Sequence, residues 1–192
     1  MRREEILDAA AAEVTRLGFA RTRVSDVAAA LGVSTALVFY HFGTKERLFA
    51  AALGHAAERD LERLDKAIAK STDAADAVRR ILALYAPRGD AAAWTIWVDG
   101  WAEALREPEM RATSRRLDQR WKDALAAQIG RGVQDGVFTC DDGDRAAWRI
   151  SALCDGLAVQ VLVHRSLTRA EFASWVREAA ARELGCDPAL LA

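Results

Sequence analysis

The sequence predicts an all-α protein, with an N-terminal three-helix head that contains a helix-turn-helix and a larger helical body, about nine helices in total. Three observations lead there. Of 192 residues, 52% are hydrophobic and only 3 are proline, with alanine, leucine, arginine and glutamate prominent, a composition that favours helices. Apolar residues recur at helical rather than alternating spacing along the chain. Near the N-terminus two short apolar patterns meet at Gly32, with the polar residue Ser34 two positions on, as expected of two short helices joined by a tight turn. The expected division is 1–47 for the head and 48–192 for the body.

Composition also limits function. A net charge of −1 lends no overall attraction to nucleic acid. The local distribution is different: from Val14 to Lys45 the only acid is Asp26, against Arg16, Arg21, Arg23 and Lys45. The uninterrupted apolar runs are too short to span a bilayer. Met1-Arg2-Arg3-Glu4-Glu5 leads straight into a helical pattern with no apolar secretory core behind it, so a cytoplasmic protein with no membrane partner is expected. Cys140, Cys154 and Cys186 have neither metal-ligand nor CxxC spacing and read as structural, with a thiol sensor as the minority alternative. No nucleophile–base pair, paired-acid motif, metal cluster or phosphate loop stands at useful spacing, so no catalytic residue, metal or cofactor is expected.

The first helix is expected over residues 2–17, with Ile6, Leu7, Ala10, Val14 and Leu17 on one face and Gly18 as its stop. The second runs from residue 22 or 23 to 31, with Val24, Val27, Ala28 and Leu31 inward. Gly32 permits the positive φ of the turn and Val33 fills the corner. Ser34 is a natural N-cap for a third helix reaching about residue 41. Val38 and Phe42 then face the core, which leaves Thr35, Ala36, Leu37 and Tyr40 outside. Such a small, weakly polar face suits a helix in a major groove, where methyl groups meet thymine methyls and hydroxyls meet base edges.

The block Gly18-Phe19, Val27-Ala28, Gly32-Val33-Ser34, Phe39-Tyr40-His41-Phe42 and Lys45-Glu46-x-Leu48 resembles the helix-turn-helix of the TetR family. The resemblance implies a homodimeric transcription factor, usually a repressor, whose body binds a small ligand that releases DNA. Carried over by position, it implies that Thr35, Ala36 and Leu37 approach bases, with Ser34 at the start of the same helix. Tyr40, His41 and Lys45 would hold phosphates, with Arg23 and Ser25 near the backbone. Ala36 stands where the family often has glycine, Leu37 where threonine is frequent, Phe39 where tyrosine is common and Arg23 where a small hydroxyl residue is usual. These departures imply an altered operator on an intact scaffold.

Thr44 is the expected cap of a fourth helix running towards Lys70, begun in the head and ended in the body. Ser71-Thr72-Asp73 recaps the chain for a fifth helix over 74–86, with Val78, Ile81, Leu82 and Tyr85 inward, and the loop Pro87-Arg88-Gly89-Asp90 ends it. On a sixth helix, 91–106, Trp94, Trp97 and Trp101 share one face that Val98 and Leu105 continue. Two readings of the tryptophans stay open: core packing, or a pocket wall whose rings attract a cationic or flat aromatic ligand. Asp99 and Glu103 either neutralise that cation or are simply solvated. Tyr85 and Trp121 join the three tryptophans as candidate ligand-binding residues.

Pro108 opens a seventh helix, 109–135, with Met110, Leu117, Trp121, Leu125, Gln128 and Ile129 inward and Gly136 as its end. Cys140-Asp141-Asp142-Gly143-Asp144 lacks calcium-loop spacing and reads as a turn with a helix cap. The eighth helix, 145–164, is apolar nearly all round and needs two partners, its own body and a second subunit. Thr168 to Glu171 forms a capping box for a ninth helix with Phe172, Trp175, Val176, Ala179 and Ala180 inward. With their symmetry mates, helices eight and nine would make a four-helix dimer interface. The tail beyond Gly185 is expected to be loose. The region from the tryptophan helix to Asp155-Gly156-Leu157 resembles the BetI-type C-terminal region of the same family.

The expected protein is therefore a sequence-specific DNA-binding regulator, a repressor released from its operator by an unidentified small-molecule effector bound among helices five to eight. A helical protein–protein adaptor with a vestigial head is the alternative.

Overall fold

Several helices begin just after a residue whose side chain caps them, among them Ser34, Thr44, Asp73, Asp142 and Thr168. The computed structural model describes residues 2–87 and 92–192. Among them are nine α-helices and no strand: α1 (Arg3–Leu17), α2 (Val24–Leu31), α3 (Thr35–Phe42), α4 (Lys45–Ala69), α5 (Ala74–Tyr85), α6 (Ala92–Ala104), α7 (Pro108–Gln134), α8 (Gly143–Val159) and α9 (Arg169–Leu184). The all-α class is as expected. The proposed loop 88–90 and the proposed helix start at 91 lie outside the described residues.

The caps are local and specific. Ser34 Oγ accepts the Leu37 N–H (3.3 Å) and Thr44 Oγ1 the Arg47 N–H (3.2 Å). Asp73 accepts from Asp76 N–H (2.8 Å), and Thr168 and Glu171 exchange bonds in a full capping box. Each cap satisfies a donor that the helix cannot pair internally.

The chain packs as two units, Met1–Asp60 with Asp90–Asp118, and Leu61–Gly89 with Gln119–Ala192. In the first, α1 packs on α2 and α6, and α2 on α3. Its core is Ile6, Leu7, Val14, Phe19, Val27, Val38, Phe42, Leu48, Phe49, Leu53, Ile96 and Met110, all buried. In the second, α8 and α9 pack together and α5 packs on α9. Here Val78, Ile81, Tyr85, Leu125, Ile129, Ile150, Cys154, Phe172, Val176 and Leu184 are buried.

Several expectations are corrected. The tail after Gly185 is not loose: Asp187 caps a 3-10 turn, Pro188–Leu191, which packs on α5 and α9 and buries Leu191. The eighth helix does not stay α-helical to His164, because Gln160–His164 is a π-helical turn closed by Arg165 in the left-handed region (φ 52°). Trp175 is half exposed: the buried stripe of α9 runs Phe172, Val176, Ala180, Leu184 in steps of four, and Trp175 falls beside it. Leu105 lies beyond the end of α6 and is 75% exposed. The stretch Gly143–His164, counted as a helix of 22 residues, is long and apolar enough by length and composition to cross a membrane, unlike the shorter uninterrupted runs that the sequence shows.

Candidate functional site

The nucleic-acid candidates are organised by the turn at Gly32. Gly32 has φ 67° and ψ 32°, its N–H bonds to Ala29 O (3.1 Å), and the Val33 N–H bonds to Ala28 O (2.9 Å). This double closure is the Schellman ending of a helix, and it needs a left-handed residue at that position. It reverses the chain so that α2 and α3 lie at 112°, within the range of helix-turn-helix units. Ala28 is buried in α2, which packs on both α1 and α3.

Helix α3 is anchored by one face and open on the other. Val38 (1% exposed) and Phe42 (6%) are buried, while Ser34, Thr35 and Ala36 are exposed and Leu37 is half-buried. Tyr40 is 83% exposed, and its ring meets His41 edge-on at 5.5 Å. Arg23 and Ser25 are exposed at the start of α2, where the Asp26 carboxylate accepts the Arg23 N–H (2.8 Å). Lys45 is half-buried and holds its ammonium 5.4 Å from the Phe49 ring centre. Arg3, absent from the sequence-based candidates, places its guanidinium 4.8 Å over the Phe42 ring. A surface of exposed donors and methyl groups around one helix can follow a phosphate backbone and reach base edges.

The aromatic candidates fall into two groups, one in each unit. On α6, Trp101 meets Trp94 edge-on at 6.0 Å and Trp97 at 6.3 Å, and all three are half-buried. The buried side of that helix is instead Ile96 and Gly100. Trp97 Nε1–H donates to Asp60 Oδ2 on α4 (3.3 Å). In the second unit Tyr85 and Trp121 pack at 4.9 Å between ring centres, and the buried Tyr85 hydroxyl is within 3.1 Å of Ser151 Oγ. Asp60 and Ser151 are partners that sequence reasoning missed. They stand 37 and 66 residues from the aromatics they meet, and no local spacing signals that.

Asp99 takes a different place from that expected. Asp99 accepts the backbone N–H of Phe19 at 2.6 Å, so it is neither simply solvated nor a spare countercharge. Glu103 borders a shallow cleft with Lys45, Glu46, Phe19, Phe49, Glu107 and Met110. Of the cysteines, Cys154 is fully buried and its thiol is pushed far up by desolvation, which suits a structural role.

Comparison with known proteins follows these two regions of the chain. A model of the bacterial regulatory proteins of the tetR family matches residues 6–52, and one of the C-terminal region of BetI-type transcriptional repressors matches residues 74–185. The HTH-type transcriptional regulator BetI of Stenotrophomonas maltophilia is 28% identical over 164 residues, covering 82% of this chain and 79% of that protein. Its counterpart in Paraburkholderia xenovorans is 26% identical over 162 residues, covering 82% and 80%. A transcriptional regulator from Saccharomonospora viridis, solved in complex with choline, superposes with a TM-score of 0.81 at 30% identity, over 92% of this chain and 93% of that one. A TetR-family regulator from Rhodococcus sp. superposes with a TM-score of 0.82 at 25% identity, over 95% and 97%.

Proposed function

The chain belongs to the TetR family of transcriptional regulators, with a BetI-type C-terminal region, and from that premise we propose how its own residues divide the work. As in its family, it is a non-enzymatic, sequence-specific DNA-binding regulator of the repressor type that acts as a dimer and answers to a small-molecule effector. The finer assignments are our reading. Residues 1–47 act as the reading head and 48–192 as the sensing and dimerising body, in the cytoplasm where the operator lies. Thr35, Ala36 and Leu37 read bases from α3, with Ser34 holding the start of that helix. Tyr40, His41, Lys45, Arg23 and Ser25 hold phosphates. The observation that carries this is the open face of α3, with Tyr40 at 83% exposure on a helix pinned by Val38 and Phe42.

For the effector we propose a quaternary ammonium compound such as choline, the ligand of the Saccharomonospora viridis neighbour. A permanent cation with methyl groups favours aromatic faces near a carboxylate. Trp94, Trp97 and Trp101, with Asp60 bonded to Trp97, supply both. Tyr85 and Trp121 form a separate aromatic candidate in the second unit. The dimer is proposed to form through α8 and α9, whose outer surfaces leave Trp148 and Trp175 half exposed, as is Val163 in the π-helical turn that follows α8. Two heads held by one dimer match half-sites about 34–36 Å apart. Release by a hundredfold requires the effector to favour the non-binding state by about 2.7 kcal/mol.

The test is selection of random DNA by the purified dimer, followed by titration of the selected operator complex with choline. Recovery of a two-half-site sequence whose binding weakens with choline supports the reading. In the same assay Leu37→Ala should change the base preferred at one position in each half-site; an unaltered profile would remove Leu37 from the base readers.

A further inference from the structure

The bond between Asp99 and Phe19 belongs to neither the DNA face nor the effector face, yet it joins α6, which carries the tryptophans, to the turn between α1 and α2 in the head. We infer that Asp99 is a positioning residue: through its hold on the Phe19 amide, α6 sets the orientation of the reading head.

The need for the bond arises at the end of α1. Gly18 closes that helix with its N–H on Val14 O (2.7 Å) and turns the backbone to φ 82°. The next amide, that of Phe19, points out of the helical ladder. Its partner comes from 80 residues further on, the Asp99 carboxylate at 2.6 Å. A bond from an amide to a charged acceptor is shorter and stronger than a neutral one. The approach leaves no slack, because a Cβ on Gly18 would lie 3.1 Å from Asp99 Oδ2.

What the bond holds is rigid on both sides. Phe19 is 2% exposed and meets Phe49 of α4 edge-on at 6.1 Å, so its backbone cannot move without the start of α4. Beside Asp99, Gly100 sets α6 hard against its neighbours: a Cβ there would lie 3.2 Å from Leu53 Cδ2 and 3.6 Å from the Phe19 ring. At roughly 100° per residue, Asp99 lies about 200° around α6 from Trp97. The helix thus has an aromatic side and, nearly opposite, a side that grips the turn between α1 and α2. A shift or roll of α6 carries the Asp99 carboxylate with it, and the first thing that carboxylate pulls on is the head.

The inference goes beyond the effector reading and does not depend on it, because no ligand enters its test. Operator variants from the selected sequence would be built with the half-sites moved apart or together one base pair at a time. The dimer's affinity for each would be measured for the wild type and for Asp99→Asn, Asp99→Leu and Asp99→Glu. Asparagine keeps an acceptor oxygen in the same place, leucine removes it, and glutamate keeps the charge but moves it by one methylene. The expected result is a sharp spacing optimum for wild type and Asp99→Asn, at least tenfold per base pair, flattened to within threefold in Asp99→Leu with the dimer and its thermal transition intact. Should the leucine variant fail to fold, Asp99→Ala, which removes the acceptor with less bulk, takes its place in the comparison. A sharp profile in the variant lacking the acceptor, or an asparagine variant as flat as it, would overturn the assignment; a merely structural carboxylate would move the thermal transition and leave the spacing profile sharp.

Discussion

Trp97 donates its indole N–H to Asp60 Oδ2 across 3.3 Å, and so ties α6 to α4 on the side where the tryptophans cluster. If these rings receive the effector, Trp97→Ala loses a cation–π contact of about 1–2 kcal/mol. It should therefore raise the choline concentration for half-release of operator by roughly 5–30-fold. Trp97→Phe keeps a ring without the donor and should lose less. Fluorescence titration and operator binding measured side by side check this. A folded Trp97→Ala protein with a wild-type choline response would retire Trp97 as an effector contact.

Lys45 and Tyr40 are assigned to phosphates. Each phosphate contact contributes about 0.9 to the slope of log affinity against log salt. Lys45→Ala, counted twice in a dimer, should flatten that slope by about 1.8 and weaken all operators alike. Tyr40→Ala should lower affinity without a comparable change in slope, since it carries no charge. An unchanged slope for Lys45→Ala would place the lysine away from DNA.

Trp175 is half exposed on α9, beside the buried stripe of Phe172 and Val176. Changing it to aspartate leaves the core of the unit untouched but puts a charge on the proposed subunit interface. The expected outcome in sedimentation is a folded monomer whose operator affinity collapses. A dimer as tight as wild type would move the interface elsewhere.

Leu191 is 4% exposed in the C-terminal turn that packs on α5 and α9. Leu191→Ala should cost about 2–3 kcal/mol, the lower part of the range for buried leucines because a chain end relaxes easily. Urea denaturation measures it. No loss of stability would mean that the tail is loose after all.

Asp76 near the start of α5 is held at a pKa of about 2, below its ordinary 3.8, chiefly by its hydrogen bond with Arg80 (2.7 Å), with further bonds from the Thr72 N–H and Arg79. The folded value is the depressed one, so the stabilisation is fully present above the unfolded value of 3.8 and is lost as pH falls towards about 2. Asp76→Asn should remove that part of the acid sensitivity, and the stability difference between wild type and variant should shrink between pH 3.8 and about 2. A difference that does not vary over this window would disprove the link.

Much of the fold is legible in the sequence because its signals are local. Ser34, Thr44, Asp73 and Thr168 each bond to the backbone three residues on, so capping is written within four positions. Gly32 and the apolar stripes of α1, α2, α3 and α5 act within a turn or two in the same way. The open face of α3 follows once Val38 and Phe42 are seen to be the buried pair.

By itself, then, the sequence determined most of the helices, many of their caps and the open face of α3, since each depends on residues less than about two turns apart. Only the tertiary structure decided the rest. It took Asp99 from a spare carboxylate to the acceptor for Phe19, gave Trp97 its partner in Asp60, left Trp175 outside the stripe and docked Leu191. Those outcomes depend on how each helix is rotated about its axis and what distant segment packs on it. Helical periodicity says that a helix has a face; the burial of all the others decides where that face points.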